Sequence, residues 1–390
     1  MVTTPTDALR RARLATFALF GLNGFVLGVW IVNIPAIRDR AGIDDEVLGY
    51  LLLLLGGSAI VGMQLGGRAV DRFGSGRVSV VAAAVFSVLA IGPGLVTTGW
   101  ELALALVLMG AFNGTIDVAQ NAHGVEIERA YGRPILSAFH ALFSFGGLLA
   151  SVLGGALIAA DLPPVVALAS AAVIGLVVVA VAIRPHVLAH DRAPLEHDEP
   201  VRRRPPWTPQ VALIAALAFA LLLSEGVAYD WSTVHVRDYL DASGSTAAWA
   251  FGAFSATMTA VRLVADRVVA RIGPAAYVQV AALVGAAGLS GAALAPTPVV
   301  AIVAWGVFGI GLAGCVPQFF SAAGNVDPRN AGVYLARVTG LGYFGLLAGP
   351  GFIGLLTRWV PLTTAFVLPI VGCLLAGLLA RVALRPKETA

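Results

Sequence analysis

The chain has 390 residues, 58% hydrophobic and 12% charged, with a mean hydropathy of +0.86. A soluble globular chain carries about 25% charged residues, so composition excludes an ordinary water-soluble domain and points to the membrane. The net charge of +3 and the pI near 9.1 come with no continuous basic face, which argues against nucleic acid as a partner.

The start, residues 1–13, is polar and runs directly into a full-length apolar stretch, so no cleavable signal is expected there. Stretches of about 20 apolar residues, each able to cross a hydrocarbon core of about 30 Å, follow in chain order. The first six are 14–37, 47–67, 78–96, 101–124, 134–160 and 163–183. The second six are 209–229, 246–264, 275–294, 298–320, 332–356 and 363–382. The spacing predicts an all-α integral membrane fold with twelve transmembrane helices in two six-helix bundles, residues 1–183 and 209–390. Residues 184–208, rich in Arg, Pro, His and acids, read as a flexible linker. With the N-terminus inside, all but four of the 25 Lys and Arg fall on the inner side, the exceptions being Arg38, Arg40, Arg237 and Arg358. That asymmetry places both termini and the linker in the cytoplasm.

Polar residues inside such spans are costly and mark function by default. Span one carries Asn23, Val26, Trp30 and Asn33 on one stripe; asparagine beside an aromatic suits a polar ligand with an apolar face, and also suits helix packing. In span four, Gly110, Asn113, Gly114, Asp117, Asn121 and Gly124 share a face, as do Ser137, His140, Ser144, Gly147, Ser151 and Gly154 in span five. The small residues serve close helix packing in either reading. Counting from the turn near Ala130 puts Asp117 and His140 at similar depth on neighbouring antiparallel helices, where they would form a carboxylate–imidazole pair able to load and release a proton. The bland alternative for Asp117 is a solvated or paired acid near the cytoplasmic mouth. Glu225 in span seven is a third proton-coupling candidate or a structural hydrogen-bonding group. Asp230 near its end is a substrate candidate or a solvated terminus, and Trp231 suits an interfacial anchor. Gln318 in span ten and Tyr343 in span eleven are candidates for the opposite wall.

The halves echo each other. Gly67-x3-Asp71-Arg72-Phe73-Gly74-x2-Arg77 follows span two, and Arg262-x3-Asp266-Arg267-x3-Arg271-x-Gly273 follows span eight; Gly147-Leu-Leu-Ala recurs as Gly345-Leu-Leu-Ala. The first of these segments resembles the loop motif between helices two and three of the major facilitator superfamily, with Ser75 and Gly76 where basic residues are usual. Asp117-Val-Ala-Gln-Asn121 resembles the Glu-x3-Asn element of the fucose:proton symporter group. Asn113-Gly-Thr-Ile-Asp117, Phe139-His140 and Glu225-Gly-x3-Asp230-Trp231 are similar to bacterial inner-membrane permeases near that group. The Arg-x3-Gly and Gly-Pro elements of drug:proton antiporters are missing from spans four and five. The resemblance implies a charge latch, made by Gly67, Asp71, Arg72, Gly74 and Arg77 with Asp266, Arg267 and Arg271, that holds the inner gate in one state.

Enzymatic signatures are wanting. Gly309-x-Gly311-x-x-Gly314 and Gly340-x-Gly342-x-x-Gly345 lie in apolar spans and follow no strand of a βαβ unit, the sole lysine is Lys387, and no H-E-x-x-H occurs. Cys315 and Cys373 sit in apolar stretches and suggest neither a disulfide framework nor a zinc site. The expectation is therefore a monomeric cytoplasmic-membrane transporter without cofactor or metal. Its partners would be a small polar, sugar-like solute, protons and the lipid bilayer. The alternatives are a proton-driven exporter of a small organic compound, or a sensor on the same scaffold.

Overall fold

The computed structural model describes residues 7–131, 135–187, 206–327 and 331–385. Within them twelve helices are long and apolar enough to cross a membrane. In the first half they are α1 Asp7–Ala41, α2 Asp45–Phe73, α3 Ser75–Leu95, α4 Gly99–Tyr131, α5 Ala138–Ala159 and α6 Pro164–Ile183. In the second they are α7 Pro209–Tyr239, α8 Gly244–Ile272, α9 Pro274–Ala293, α10 Pro298–Asn325, α11 Val333–Leu356 and α12 Leu362–Ala383. No strand occurs among the described residues.

Local chemistry sets the helix ends. Asp44, Thr208, Ser243 and Thr297 cap helix N-termini by accepting from backbone N–H groups three residues on, the stabilising arrangement for otherwise unpaired donors. Proline follows directly in two of these, at Pro209 and Pro298, where a missing N–H costs nothing. Gly74 ends α2 with φ 86° and Gly273 ends α8 with φ 82°, a conformation side chains resist. The internal repeat is thus visible as the same glycine turn in both halves.

The apolar stretches understate the helices, and four spans are not the continuous α-helices that periodicity suggests. Regular structure in α3 stops at Leu89 and resumes over Gly92–Leu95, and α12 is divided at Phe366. A π turn, His235–Tyr239, finishes α7. Helix α10 breaks between Leu312 and Cys315, where Gly314 has φ 77°. The Tyr277 hydroxyl donates to the Ala313 carbonyl at 2.6 Å, satisfying backbone that the break releases. The expected linker begins later than residue 184, because helix continues to Val187; residues 188–205 lie outside the described residues.

Helix α4 packs on α2 and α3, whereas α5 packs on α1 and α8. Two seams, α2 against α11 and α5 against α8, carry most contact between the first six helices and the last six. The α2–α11 seam closes at one end through glycine: a Cβ on Gly49 would stand 2.6 Å from the Gly354 Cα. Gly49→Val therefore costs about 1–3 kcal/mol through overpacking, read as a lower midpoint of thermal unfolding in detergent. Gly57→Val, whose Cβ would meet nothing within 4 Å, stays within about 0.5 kcal/mol of the parent.

Candidate functional site

The seams enclose a cavity of about 370 Å³. Its wall includes Asn23, Trp30, Asn113, Asp117 and His140 from the first six helices, and Glu225, Asp230 and Tyr343 from the last six. Eight of the residues that stand out in the sequence thus converge on one space. The remaining four substrate candidates do not line it. Asn33 is buried and spends its amide on the Val29 carbonyl at 2.8 Å. Asn121 donates to the Asp117 carboxyl at 3.2 Å and to the Asp117 backbone oxygen at 2.9 Å, so it orients that acid from behind. Gln318 caps the carbonyl of Gly314 and faces a separate pocket beside Gln210 and Asn325. Ser144 stands behind the wall and is held by the residue that opens the second copy of the repeated motif.

That residue is Arg262. The motif groups it with charges at the cytoplasmic helix end, yet it lies ten positions before the last residue of α8, Ile272, and lines the cavity. Nη2 sits 3.0 Å from Glu225 Oε1 on α7, and Nη1 donates to Ser144 Oγ on α5 at 2.7 Å. The Tyr229 hydroxyl donates to the same Glu225 oxygen at 2.6 Å. A chain of polar contacts therefore runs from α7 through α8 to α5, crossing from one half to the other. Only 17% of the Arg262 side chain and 7% of the Glu225 side chain is exposed, a setting in which an ion pair requires close to complete hydrogen bonding. A cation at this depth is detectable in the sequence from the distance to the helix-ending Gly273.

Asp117 and His140 share the cavity but not a bond. No ion pair joins them, because α4 and α5 pack on different neighbours and are not side by side. Asp117 is approached instead by Gln120, Tyr343 and Asn121, all neutral. His140 meets the ring of Phe20 edge-on, with centroids 5.4 Å apart. Asp230 is no solvated helix end: it faces the cavity with no charged or hydrogen-bonding partner among the described residues. Trp231 is no interfacial anchor either, being fully buried with Nε1 donating to the Pro350 carbonyl at 2.8 Å.

The two ends of the cavity differ. Where α1 finishes and α2 begins, Arg38 contacts Asp39 at 2.9 Å, Asp45 at 2.6 Å and Asp238 of the π turn at 2.8 Å. Arg237 returns to Asp39 at 2.6 Å, the Tyr239 hydroxyl donates to Asp45 at 3.1 Å, and Arg358 reaches Glu46 at 3.3 Å. These contacts tie α1 and α2 to α7 and α11 and close that end. Three of the four arginines that the charge count sets apart from the rest are its cations. At the opposite end Asp266 both lines the cavity and is exposed. Asp71, Arg72, Arg77, Arg267 and Arg271 are exposed there as well, and no ion pair joins Asp71 or Arg72 to the last six helices among the described residues.

Residues 16–317 match the family model of the Major Facilitator Superfamily. An uncharacterized MFS-type transporter of Yersinia pestis is 33% identical over 355 residues, covering 91% of each chain. Among solved structures, the nucleoside transporter NupG (D323A mutant) superposes with a TM-score of 0.75 at 13% identity, covering 96% of this chain and 100% of that one. The D-xylose-proton symporter does so with a TM-score of 0.73 at 14% identity, covering 96% and 97%.

Proposed function

This chain belongs to the major facilitator superfamily, and on that premise we propose that it moves a small polar organic solute across the cytoplasmic membrane by proton-coupled alternating access. Acting as a monomer with both termini cytoplasmic, it has its ion-paired end facing outward and its cavity open to the cytoplasm. A nucleoside and a pentose, named for two proteins of the same fold, are of a size that a cavity of about 370 Å³ accepts.

The observation that carries the coupling is the shared Glu225 carboxylate. One oxygen holds both Arg262 and the Tyr229 hydroxyl, and Arg262 also binds Ser144 across the α5–α8 seam. Protonation of Glu225 removes the charge that anchors Arg262, and the guanidinium must then find a new partner. The seam contact through Ser144 changes with it. A proton is thereby converted into a difference in contact between the two halves, which is what shifting a two-state equilibrium requires. Asp117, held only by neutral groups, is a second protonation site whose neutralisation strands no buried cation; His140 adds a third titratable group to the same wall. In the opposite state, Gly67, Asp71, Arg72, Gly74 and Arg77 with Asp266, Arg267 and Arg271 hold the cytoplasmic end shut.

The test uses purified protein in liposomes with an imposed inside-alkaline gradient and a metabolite panel. The parent accumulates its solute, and Glu225→Gln loses gradient-driven accumulation while keeping solute exchange at zero gradient. Asp117→Asn shifts the pH dependence of accumulation. Gradient-driven flux that both variants leave unchanged would remove the proton assignment. Extrusion in place of uptake would make the protein an exporter. Binding without flux would make it a sensor.

A further inference from the structure

The charge balance of the cavity says more about its ligand than its volume does. Four carboxyls, Asp117, Glu225, Asp230 and Asp266, line it against one guanidinium, Arg262. That guanidinium is already committed to Glu225 and Ser144, so it offers little to an incoming anion. Two acceptors are left over. Asp230 has no partner among the described residues. Asn23, only 1% exposed, lines the same space, and its buried Oδ1 has no hydrogen-bond partner among the described residues. Trp30, also only 1% exposed, lies two helical turns beyond Asn23 on α1, roughly 10 Å along the axis at 1.5 Å per residue. Helices α1 and α7 meet just beyond, where the Thr233 hydroxyl donates to the Ile31 carbonyl at 3.4 Å, one turn past Asp230.

We infer that the solute is a cationic amine, its ammonium group seated against Asp230. The inference rests on the transporter reading above and narrows its substrate class. A neutral solute would leave the Asp230 carboxyl without a counterion beside apolar walls, where it ionises only at a cost. An anion would add repulsion from the surplus carboxyls. A cation supplies the partner that the Asp230 carboxylate lacks.

Small thiol reagents of fixed charge test the cavity in place of the natural solute. Cys315 and Cys373, both buried, are changed to Ser, and Leu27→Cys places a single thiol on the cavity wall; Leu222→Cys provides a second position on the other half should the first fold poorly. Each protein is labelled in detergent with a trimethylammonium-ethyl and a sulfonatoethyl methanethiosulfonate, reagents of similar size and opposite charge. Rates are divided by those for a free thiol in solution. The cationic reagent is expected to be favoured about tenfold, the scale set by one unit charge within several ångströms in a partly screened site. Asp230→Asn removes most of that preference, and Asp230→Glu restores it. Equal rates, a preference for the anion, or a ratio that Asp230→Asn leaves unchanged would overturn the assignment. Each of those outcomes would leave the liposome flux reading standing, and failure of flux would leave the labelling ratio untouched.

Discussion

Replacing Arg262 with alanine destabilises the protein by about 3–5 kcal/mol and ends gradient-driven transport, because it strands Glu225 as a buried charge without a counterion. The Glu225 oxygen that accepts from Arg262 at 3.0 Å would retain the Tyr229 hydroxyl at 2.6 Å. One neutral donor does not offset the removal of a carboxylate from water. Ser144 would lose its 2.7 Å bond, and with it a link between α5 and α8. Arg262→Lys keeps the charge but places one ammonium where the planar fork now serves two partners, so partial stability with weak coupling is expected. The decisive comparison is the double variant Arg262→Gln with Glu225→Gln. Its thermal midpoint recovers most of the loss, since removing both charges of a buried pair is close to neutral, while accumulation under a proton gradient does not return. Recovery of transport along with stability would show that the pair is structural only.

Arg38→Ala opens the end of the cavity that is closed here. Arg38 is the hub of that end, in contact with Asp39, Asp45 and Asp238, and only 13% of its side chain is exposed. Without it, three carboxylates from the two halves face one another with Arg237 as the nearby cation. A change of about 2.7 kcal/mol takes a 1:99 equilibrium to parity, and loss of such a partly buried hub is of that order. The readout is a thiol at Thr233, which is fully buried beneath the network, introduced as Thr233→Cys with the two native cysteines replaced. A membrane-impermeant maleimide added from outside labels it slowly in the parent and about tenfold or more faster with Arg38→Ala. Arg358→Ala is the control. Its bond to Glu46 is more exposed, with 58% of the arginine side chain accessible, and exposed pairs contribute about 0–1 kcal/mol. Equal labelling of all three proteins would mean that the glycine-packed α2–α11 seam, and not the ion pairs, holds that end shut.

Membrane character, twelve spans, the internal repeat and the family are legible in the sequence because they depend on quantities local to a stretch of chain. Twenty apolar residues cross a bilayer whatever they pack against, and a loop motif is read along a single strand of text. The same locality exposes the polar residues of the spans, so that Asn23, Trp30, Asn113, Asp117, His140, Glu225, Asp230 and Tyr343 all stand out in the sequence, although their convergence on one cavity does not. Helix phase identifies which residues share a face. It does not say which helix that face meets.

Partnership is therefore decided only by the tertiary structure. Counting along the chain puts Asp117 and His140 at similar depth, yet α5 lies against α1 and α8 while α4 lies against α2 and α3, so the expected pair does not form. Arg262 falls at the end of span eight and opens the second copy of the motif, but helix continues to Ile272 and carries its guanidinium to Glu225 and Ser144. Three of the four arginines that mark one face by topology bind acids from the other half. Composition and periodicity determined that this chain spans a membrane and that a few polar residues inside it are too costly to be idle. Which of them touch depended on how two sets of six helices meet, because hydrogen bonds and ion pairs form across distances of a few ångströms between residues more than a hundred positions apart in the chain.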